Sequence, residues 1–267
     1  MDLQLKGKRA LVTGGSRGIG KAIARELARE GADVAILARD PERLKTAATE
    51  IAKESGRTVV GIAVDTTSDD SVKAAVADAV KALGGGIDIL VNAAAHPGGT
   101  VAPPKLAALT QDYFHNEMNT KVMGYIRCAQ AVAPHMQEQG WGRIINISGL
   151  AARGSGNVVG SMRNVSVAAM TKNLADELGP SGINVTVVHP GLTRTERTAP
   201  RIAELAKKRN VTEAEIEKEM ASGNSIKHIV DASEIAYIVA FLASPRSIAI
   251  NGDVIAAGGG SGKAIYY

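Results

Sequence analysis

Residues 9–20 read RALVTGGSRGIG. A short aliphatic run meets a turn carrying Gly14, Gly15, Gly18 and Gly20, and then a stretch with helical spacing. Ile19, Ile23 and Leu27 recur every four residues and form one stripe, while Lys21, Arg25 and Arg29 take another face. Gly14 and Gly15 permit a tight turn and a close backbone approach. Gly18 and Gly20 open the helix N-terminus to an anion and let helix and strand pack closely. The spacing is G-x-x-x-G-x-G rather than the commoner G-x-G-x-x-G. A strand that turns through glycine into a helix is the first half of a βαβ unit.

The same alternation continues along the chain. Strands are predicted at 9–14, 33–38, 58–65, 87–93, 143–148, 183–190 and 253–258, and helices near 18–30, 41–54, 69–83, 111–139, 157–179 and 232–243. Asp40 is placed to cap the helix that Pro41 and Glu42 open. Strand–helix–strand repetition implies right-handed crossovers and a parallel sheet covered on both faces. The expectation is an α/β, doubly wound single domain over residues 1–267. Residues 194–230, rich in Arg, Lys and Glu, read as a lid-like insertion over one end of the sheet, or as a solvated helix pair.

Composition narrows the function classes. With two Phe, one Trp and five Tyr in 267 residues, the core must come from Ala, Val, Ile and Leu. The net charge of +4 fits a solvated surface and an anionic ligand. No Lys/Arg cluster with interleaved aromatics argues for nucleic acid. The one cysteine, Cys128, sits in a helical stretch as a core residue and excludes an intrachain disulfide. No HxxxH, HExxH or carboxylate cluster argues for a metal. Mean hydropathy is near zero. No apolar run approaches the about 18 residues of a membrane span, and none precedes a cleavage site. These features predict a reduced, cytoplasmic protein with a small-molecule substrate and no membrane partner.

The end of the second strand selects the nucleotide. NAD binding favours an acid there, to accept from the ribose 2′-hydroxyl. The sequence is ILARD, with Ala38 near that position and Arg39 beside it, and Arg17 lies in the glycine turn. Two guanidiniums suit a 2′-phosphate, so NADP(H) is favoured over NAD(H).

TGGSRGIG, VNAAA (91–95), Asn119 in a long helical stretch, GRIINIS ending at Ser148 and HPG (189–191) resemble the short-chain dehydrogenase/reductase family over essentially the whole chain. The resemblance implies a Rossmann-type domain with a seven-stranded sheet and a homodimer or homotetramer packed through helices 111–139 and 157–179. It implies that Gly14, Ser16, Arg17, Gly18, Ile19 and Gly20 cradle the phosphates. Asp65 and Thr66 would take the adenine, Asn92 and Ala94 would pass the adenosine ribose, and Pro190, Gly191 and Thr193 would border the nicotinamide. The second Asn and the Gly of the family's N-N-A-G stretch are Ala93 and Ala95 here.

The resemblance also implies a proton donor, and here the chain departs from the pattern. The family uses a Tyr, activated by a Lys four residues later, with a Ser thirteen residues before the Tyr and an Asn in the preceding helix. Anchored on GRIINIS, those positions are Met162, Ser166 and Gly149, and only Asn119 is kept. Sliding the anchor by one makes Ser148 the hydroxyl and still supplies no Tyr. Asn119 and Ser148 are therefore the candidate catalytic residues. As substitute donors, Arg163 is expected to turn about 100° away from the site. Ser155 and His96 are expected to serve turns or loops, and His189 to be structural. The sequence leaves three readings. One is an NADP(H)-dependent oxidoreductase with a non-family proton source, or with a hydride transfer needing none. The others are a nucleotide-binding regulatory subunit without turnover, and a lyase or isomerase reusing the pocket.

Overall fold

The computed structural model describes residues 1–95 and 103–263. The first βαβ unit runs from β1 (Arg9–Thr13) through α1 (Gly18–Arg29) to β2 (Asp33–Ala38). Then follow α2 (Pro41–Ser55), β3 (Val59–Ala63), α3 (Asp69–Ala82) and β4 (Ile89–Asn92). The second half holds α4 (Gln111–Met118), a π-helical turn (Asn119–Met123), α5 (Gly124–Gln139), β5 (Gly142–Ile147), α6 (Val158–Leu178) and β6 (Ile183–Pro190). It ends with β7 (Thr193–Arg194), α7 (Thr198–Arg209), α8 (Glu213–Ala221), β8 (Val230–Asp231), α9 (Ala232–Ala243) and β9 (Val254–Ala257).

The strands form a seven-stranded parallel sheet in the order β3-β2-β1-β4-β5-β6-β9, and β7 pairs with β8 apart from it. Side chains alternate across the sheet with a period of two. Ala10, Val12, Val34, Ile36, Ile89, Val91, Ile145 and Ile147 meet α1, α2 and α9 on one face. Leu11, Ala35, Leu37, Leu90 and Ile144 meet α3, α5 and α6 on the other. Each fully buried Ile or Leu contributes about 1.5–3 kcal/mol, so the two layers stabilise the sheet from both sides. The charged stripe of α1 finds its partners on α2: Lys21 with Glu50 at 2.6 Å and Arg25 with Glu54 at 2.9 Å. Asp40 caps α2, its Oδ1 accepting from Arg43 N at 3.1 Å.

The strand order reverses direction at β1, and the cleft opens there beyond the carboxyl ends of β1 and β4. At the other end of the sheet, Lys8 Nζ lies 3.8 Å and Arg143 Cζ 4.7 Å from the ring centroid of Trp141, just ahead of β5. Arg143 is buried, and desolvation pushes its guanidinium pKa down to about 10.

Within residues 194–230, α7 and α8 close a small core of Ile202, Ala206 and Ile216 of their own. Arg194 ties this arm to α8 through Glu217 and to the start of α9 through Asp231 at 3.3 Å. No helix among the described residues is long and apolar enough to cross a membrane.

Candidate active site

A cleft of about 1020 Å³ lies along the carboxyl ends of the strands. One wall is the turn between β1 and α1. Gly14 has φ +67°, and a Cβ there would fall 2.8 Å from Ala93 O. A Cβ on Gly20 would fall 2.4 Å from Gly14 O, so any larger residue must displace the main chain. The first turn of α1 has no side-chain cap and no acidic residue. Its N–H groups are left for an outside acceptor, and the helix dipole favours an anion there. Glu196, from the arm, already presents such an anion: its Oε2 accepts from Gly18 N at 3.1 Å. Main-chain donors, closely packed glycines and an anion on the helix end fit a dinucleotide's phosphates.

Ser16, Arg17, Gly18, Ile19 and Gly20 line the cleft, and so do Arg39 and Arg43 at the end of β2. Asp40 also lines the cleft, paired at its exposed rim with Arg43 (Nε to Oδ2, 3.0 Å). The Arg17 side chain makes no hydrogen bond or ion pair among the described residues and lines the cleft. Asp65 and Thr66 line the next stretch. The backbone N–H and hydroxyl of Thr67 hold the Asp65 carboxyl below its usual range, with Arg39 and Arg127 adding to the effect.

At the end of β4, Ala93, Ala94 and Ala95 line the cleft. The Asn92 side chain instead turns into the protein and donates to Asn146 Oδ1 at 3.0 Å. Thr13 Oγ1 accepts from both Ala93 N (3.0 Å) and Ala94 N (3.1 Å), locking this loop to β1 where the sequence has alanines. Pro190, Gly191 and Thr193 close the far end, where the Thr193 hydroxyl donates to Gly191 O.

The opposite wall differs from the sequence expectation. Asn119 does not line the cleft; its Oδ1 accepts from Arg127 Nη1 at 2.9 Å. Two residues on, Lys121 does line it, carried by the π-helical turn. Such turns change which side chains a helix presents. Lys121 is buried, and its Nζ donates to Ser148 O and Asn164 Oδ1, each at 3.0 Å. Burial lowers its pKa to about 7; Arg163 adds to the drop and Glu117 opposes it. Ser148 and Gly149 line the cleft, but the Ser148 hydroxyl donates to Asn164 O at 3.1 Å.

On α6 the stripe turned inward is Gly160, Asn164, Val167 and Thr171, with Arg163 at its edge lining the cleft. Arg163, expected to face away, pairs with Glu117 of α4 in a largely buried bridge. Met162, expected at the donor position, is 48 % exposed and outside the cleft lining, and Ser166 bonds back to Met162 O at 2.8 Å. The expectation that Arg163 turns away holds only if Met162 faces inward, and it does not. At 100° per residue Met162 points nearly opposite to that stripe, and the next step brings Arg163 round to its edge.

His189 is buried beneath this end, and burial, with Arg153 and Lys121 nearby, holds its pKa down at about 4. Ser155 is not among the described residues that line the cleft. His96 lies outside the described residues. Cys128 is buried, and its thiol is pushed up to about 12, an inert core residue. His228, Asp231 and Glu234 approach within 4.8 Å of one another, a grouping that the sequence pattern did not suggest. They are engaged at the start of α9, where Glu234 accepts from Asp231 N at 2.7 Å and meets His228 Nε2 at 2.9 Å.

A doubly wound parallel sheet with a glycine-built anion cradle at its switch point defines a Rossmann-type nucleotide-binding domain. Residues 14–261 match the family model described as Enoyl-(Acyl carrier protein) reductase. The chain belongs to this family of short-chain dehydrogenase/reductase proteins, and its fold is that of an oxidoreductase. It is 35 % identical to the short-chain reductase protein NovJ of Streptomyces niveus, covering 94 % of this chain and 92 % of that one. It is 32 % identical to the NADPH-dependent reductase BacG of Bacillus subtilis, covering 96 % and 98 %. The L-sorbose reductase of Gluconobacter frateurii, solved with NADPH and L-sorbose, superposes with a TM-score of 0.91 at 29 % identity, over 99 % of this chain and all of that one.

Proposed function

We propose that this protein is an NADP(H)-dependent reductase of a small organic substrate, working without the family's Ser, Tyr and Lys. The observation that carries this reading is the pairing of an intact glycine cradle with Arg17, Arg39 and Arg43 around the end of β2. Guanidiniums bind phosphate in forked, charge-assisted pairs, and with no acid at Ala38 a ribose 2′-phosphate is accepted there. The two relatives named with NADPH agree with it. Bound NADPH supplies hydride to an electrophilic carbon. The chain orients it: the α1 N-terminus and Ser16 hold the phosphates, Asp65 and Thr66 the adenine, and Pro190, Gly191 and Thr193 the nicotinamide end. Neither Met162 and Ser166 nor the inward pair Gly160 and Asn164 supplies a Tyr or a Lys. Arg197, Arg201 and Glu196 border the cleft from residues 194–230, and we read this arm as its lid.

Calorimetric titration tests the reading. NADPH is expected to bind at least about tenfold tighter than NADH, a difference of about 1.4 kcal/mol. NADPH is also expected to be consumed with at least one member of a ketone, enone and imine panel. Equal affinity for the two nucleotides, or none for either, would overturn it.

A second reading, a nucleotide-binding subunit that pairs with another chain, draws on an apolar face. Met123, Val158, Met162 and Val165 are each between 43 % and 56 % exposed on the helical face where a homodimer or homotetramer is expected. Sedimentation of the pure chain distinguishes self-association from a monomer awaiting a partner.

A further inference from the structure

We propose that Lys121 is the catalytic proton donor of this cleft, delivering a proton to a carbonyl or imine as its carbon is reduced. The inference deepens the reductase reading and rests on it. Its basis is a placement that stability alone does not explain. An ammonium group taken out of water is costly unless a carboxylate meets it, and mutual satisfaction is the rule for buried charges. Lys121 has no carboxylate partner among the described residues. The nearby acid, Glu117, is taken by Arg163. Lys121 is held instead by two neutral acceptors, Ser148 O and Asn164 Oδ1. An ammonium has three N–H donors, so one is left without a described acceptor, on a residue that lines the cleft.

The surroundings have one effect on this group. The charged and titratable neighbours are Glu117 from α4, Arg163 from α6, His189 from the end of β6 with Arg153 beside it, and Tyr125 one turn along α5. The Tyr125 hydroxyl is buried, donates to Ile147 O at 2.9 Å and does not line the cleft. His189 is held largely neutral at pH 7. Burial and Arg163 push the Lys121 proton off, and Glu117 keeps it from leaving altogether. The result is an amine whose pKa is about 7. That value suits a general acid at neutral pH, because the protonated form is populated and gives up its proton readily. Among the described residues lining the cleft there is no Tyr and no His to compete for the role.

The step balances as follows. The substrate carbon gains hydride from the reduced nicotinamide, and the π pair of its C=O or C=N bond moves to the heteroatom. A bond from that atom to hydrogen forms while one Nζ–H bond of Lys121 breaks. The neutral amine keeps its two acceptors and recovers a proton from water through the cleft. Ser148 and Asn164 are positioning residues in this scheme.

Three variants and one chemical measurement test the inference. Lys121→Met is expected to lower kcat by about 10²–10⁴-fold. It should change NADPH affinity by less than about threefold. Lys121→Arg keeps the positive charge but cannot release a proton near neutral pH, so it is expected to be nearly as slow. In the parent enzyme kcat/KM should fall above about pH 7 as the donor empties. Asn164→Asp gives the ammonium a carboxylate and should move that descending limb upward by at least about one unit. A limb that stays in place, or an arginine variant as fast as the parent, would overturn the role.

The chemical measurement needs no turnover. Amine acylation of the nucleotide-free protein, mapped by peptide mass spectrometry, should show Lys121 reacting with a midpoint near pH 7 and protected by NADP⁺. Lys172, exposed and paired with Asp176, serves as the internal reference for surface reactivity. Failure of NADPH to bind the parent would sink the reductase reading. A Lys121 that shows no acylation midpoint near pH 7, or gains no protection from NADP⁺, would sink this inference even when NADPH binds and is consumed.

Discussion

The two walls of the cleft handle charge by different means. On the side of β1, α1 and β2, charge is met by main-chain N–H groups at a helix end and by guanidiniums at the rim. Gly14 and Gly20 matter there for what they lack, because a Cβ would strike Ala93 O or Gly14 O. On the side of α5 and α6 the wall is made of long side chains, with Lys121 buried and the Arg163–Glu117 pair largely so between helices. The main-chain wall depends on topology and tolerates almost no addition. The side-chain wall can exchange its chemistry while the helices beneath it stay put, since Val167, Thr171 and Ala175 pack α6 regardless of what Asn164 holds. The nucleotide wall is thus fixed by the main chain, while the wall of α5 and α6 is open to side-chain substitution.

The contrast is broken most severely at the main-chain wall. Gly20→Ala is expected to cost about 3 kcal/mol in denaturant unfolding. It should also weaken NADPH binding by about 100-fold or more, about 2.7 kcal/mol; retained binding would mean that the cradle yields more than its packing allows. The next effect is at Lys121 and is read in stability against pH. The ordinary lysine value is 10.5 and the folded value is about 7, so between them the unfolded chain binds the extra proton. Stability then rises with pH across that window, and the burial cost is fully present below about pH 7. Lys121→Met should lack this rise, changing the parent–variant difference by a few kcal/mol between about pH 7 and 10. Identical pH slopes would place the lysine in water.

Smaller again, Arg39→Ala should weaken NADPH by about 1.5–2 kcal/mol while moving NADH by less than about 0.5, as expected for a charge-assisted phosphate contact. Smallest of all, Met162→Tyr with Ser166→Lys should leave stability within about 0.5 kcal/mol and create no new reduction, because Met162 is exposed and outside the cleft lining. A gain in ketone reduction from that pair would return Met162 to the cleft.

The main-chain wall was legible in the sequence because its determinants are local. Glycine spacing, the Asp40 cap and the stripes of α1 follow from residues within a few positions of each other, and β2 and β6 fall on their expected residues. The side-chain wall was not, for two physical reasons. The long helical stretch 111–139 contains a π-helical turn at Asn119–Met123, and no simple periodicity announces an extra residue in one turn. That turn separates Asn119, the expected cleft residue, from Lys121, the observed one. The second reason is distance along the chain: Lys121 meets Asn164 and Arg163 meets Glu117 only after the sheet has brought α4, α5 and α6 together. A lysine inside an otherwise apolar and small-residue stretch, K-V-M-G-Y, was the one available signal.

The position of the chain's single tryptophan has a practical consequence. Trp141 meets two cations at the amino end of β5, and six strand residues, about 20 Å, separate it from Ser148 at the mouth of the cleft. Intrinsic emission from this protein therefore follows the closing of the sheet's floor. A variant with a ruined nucleotide wall and a sound floor would pass an emission-based folding assay unnoticed.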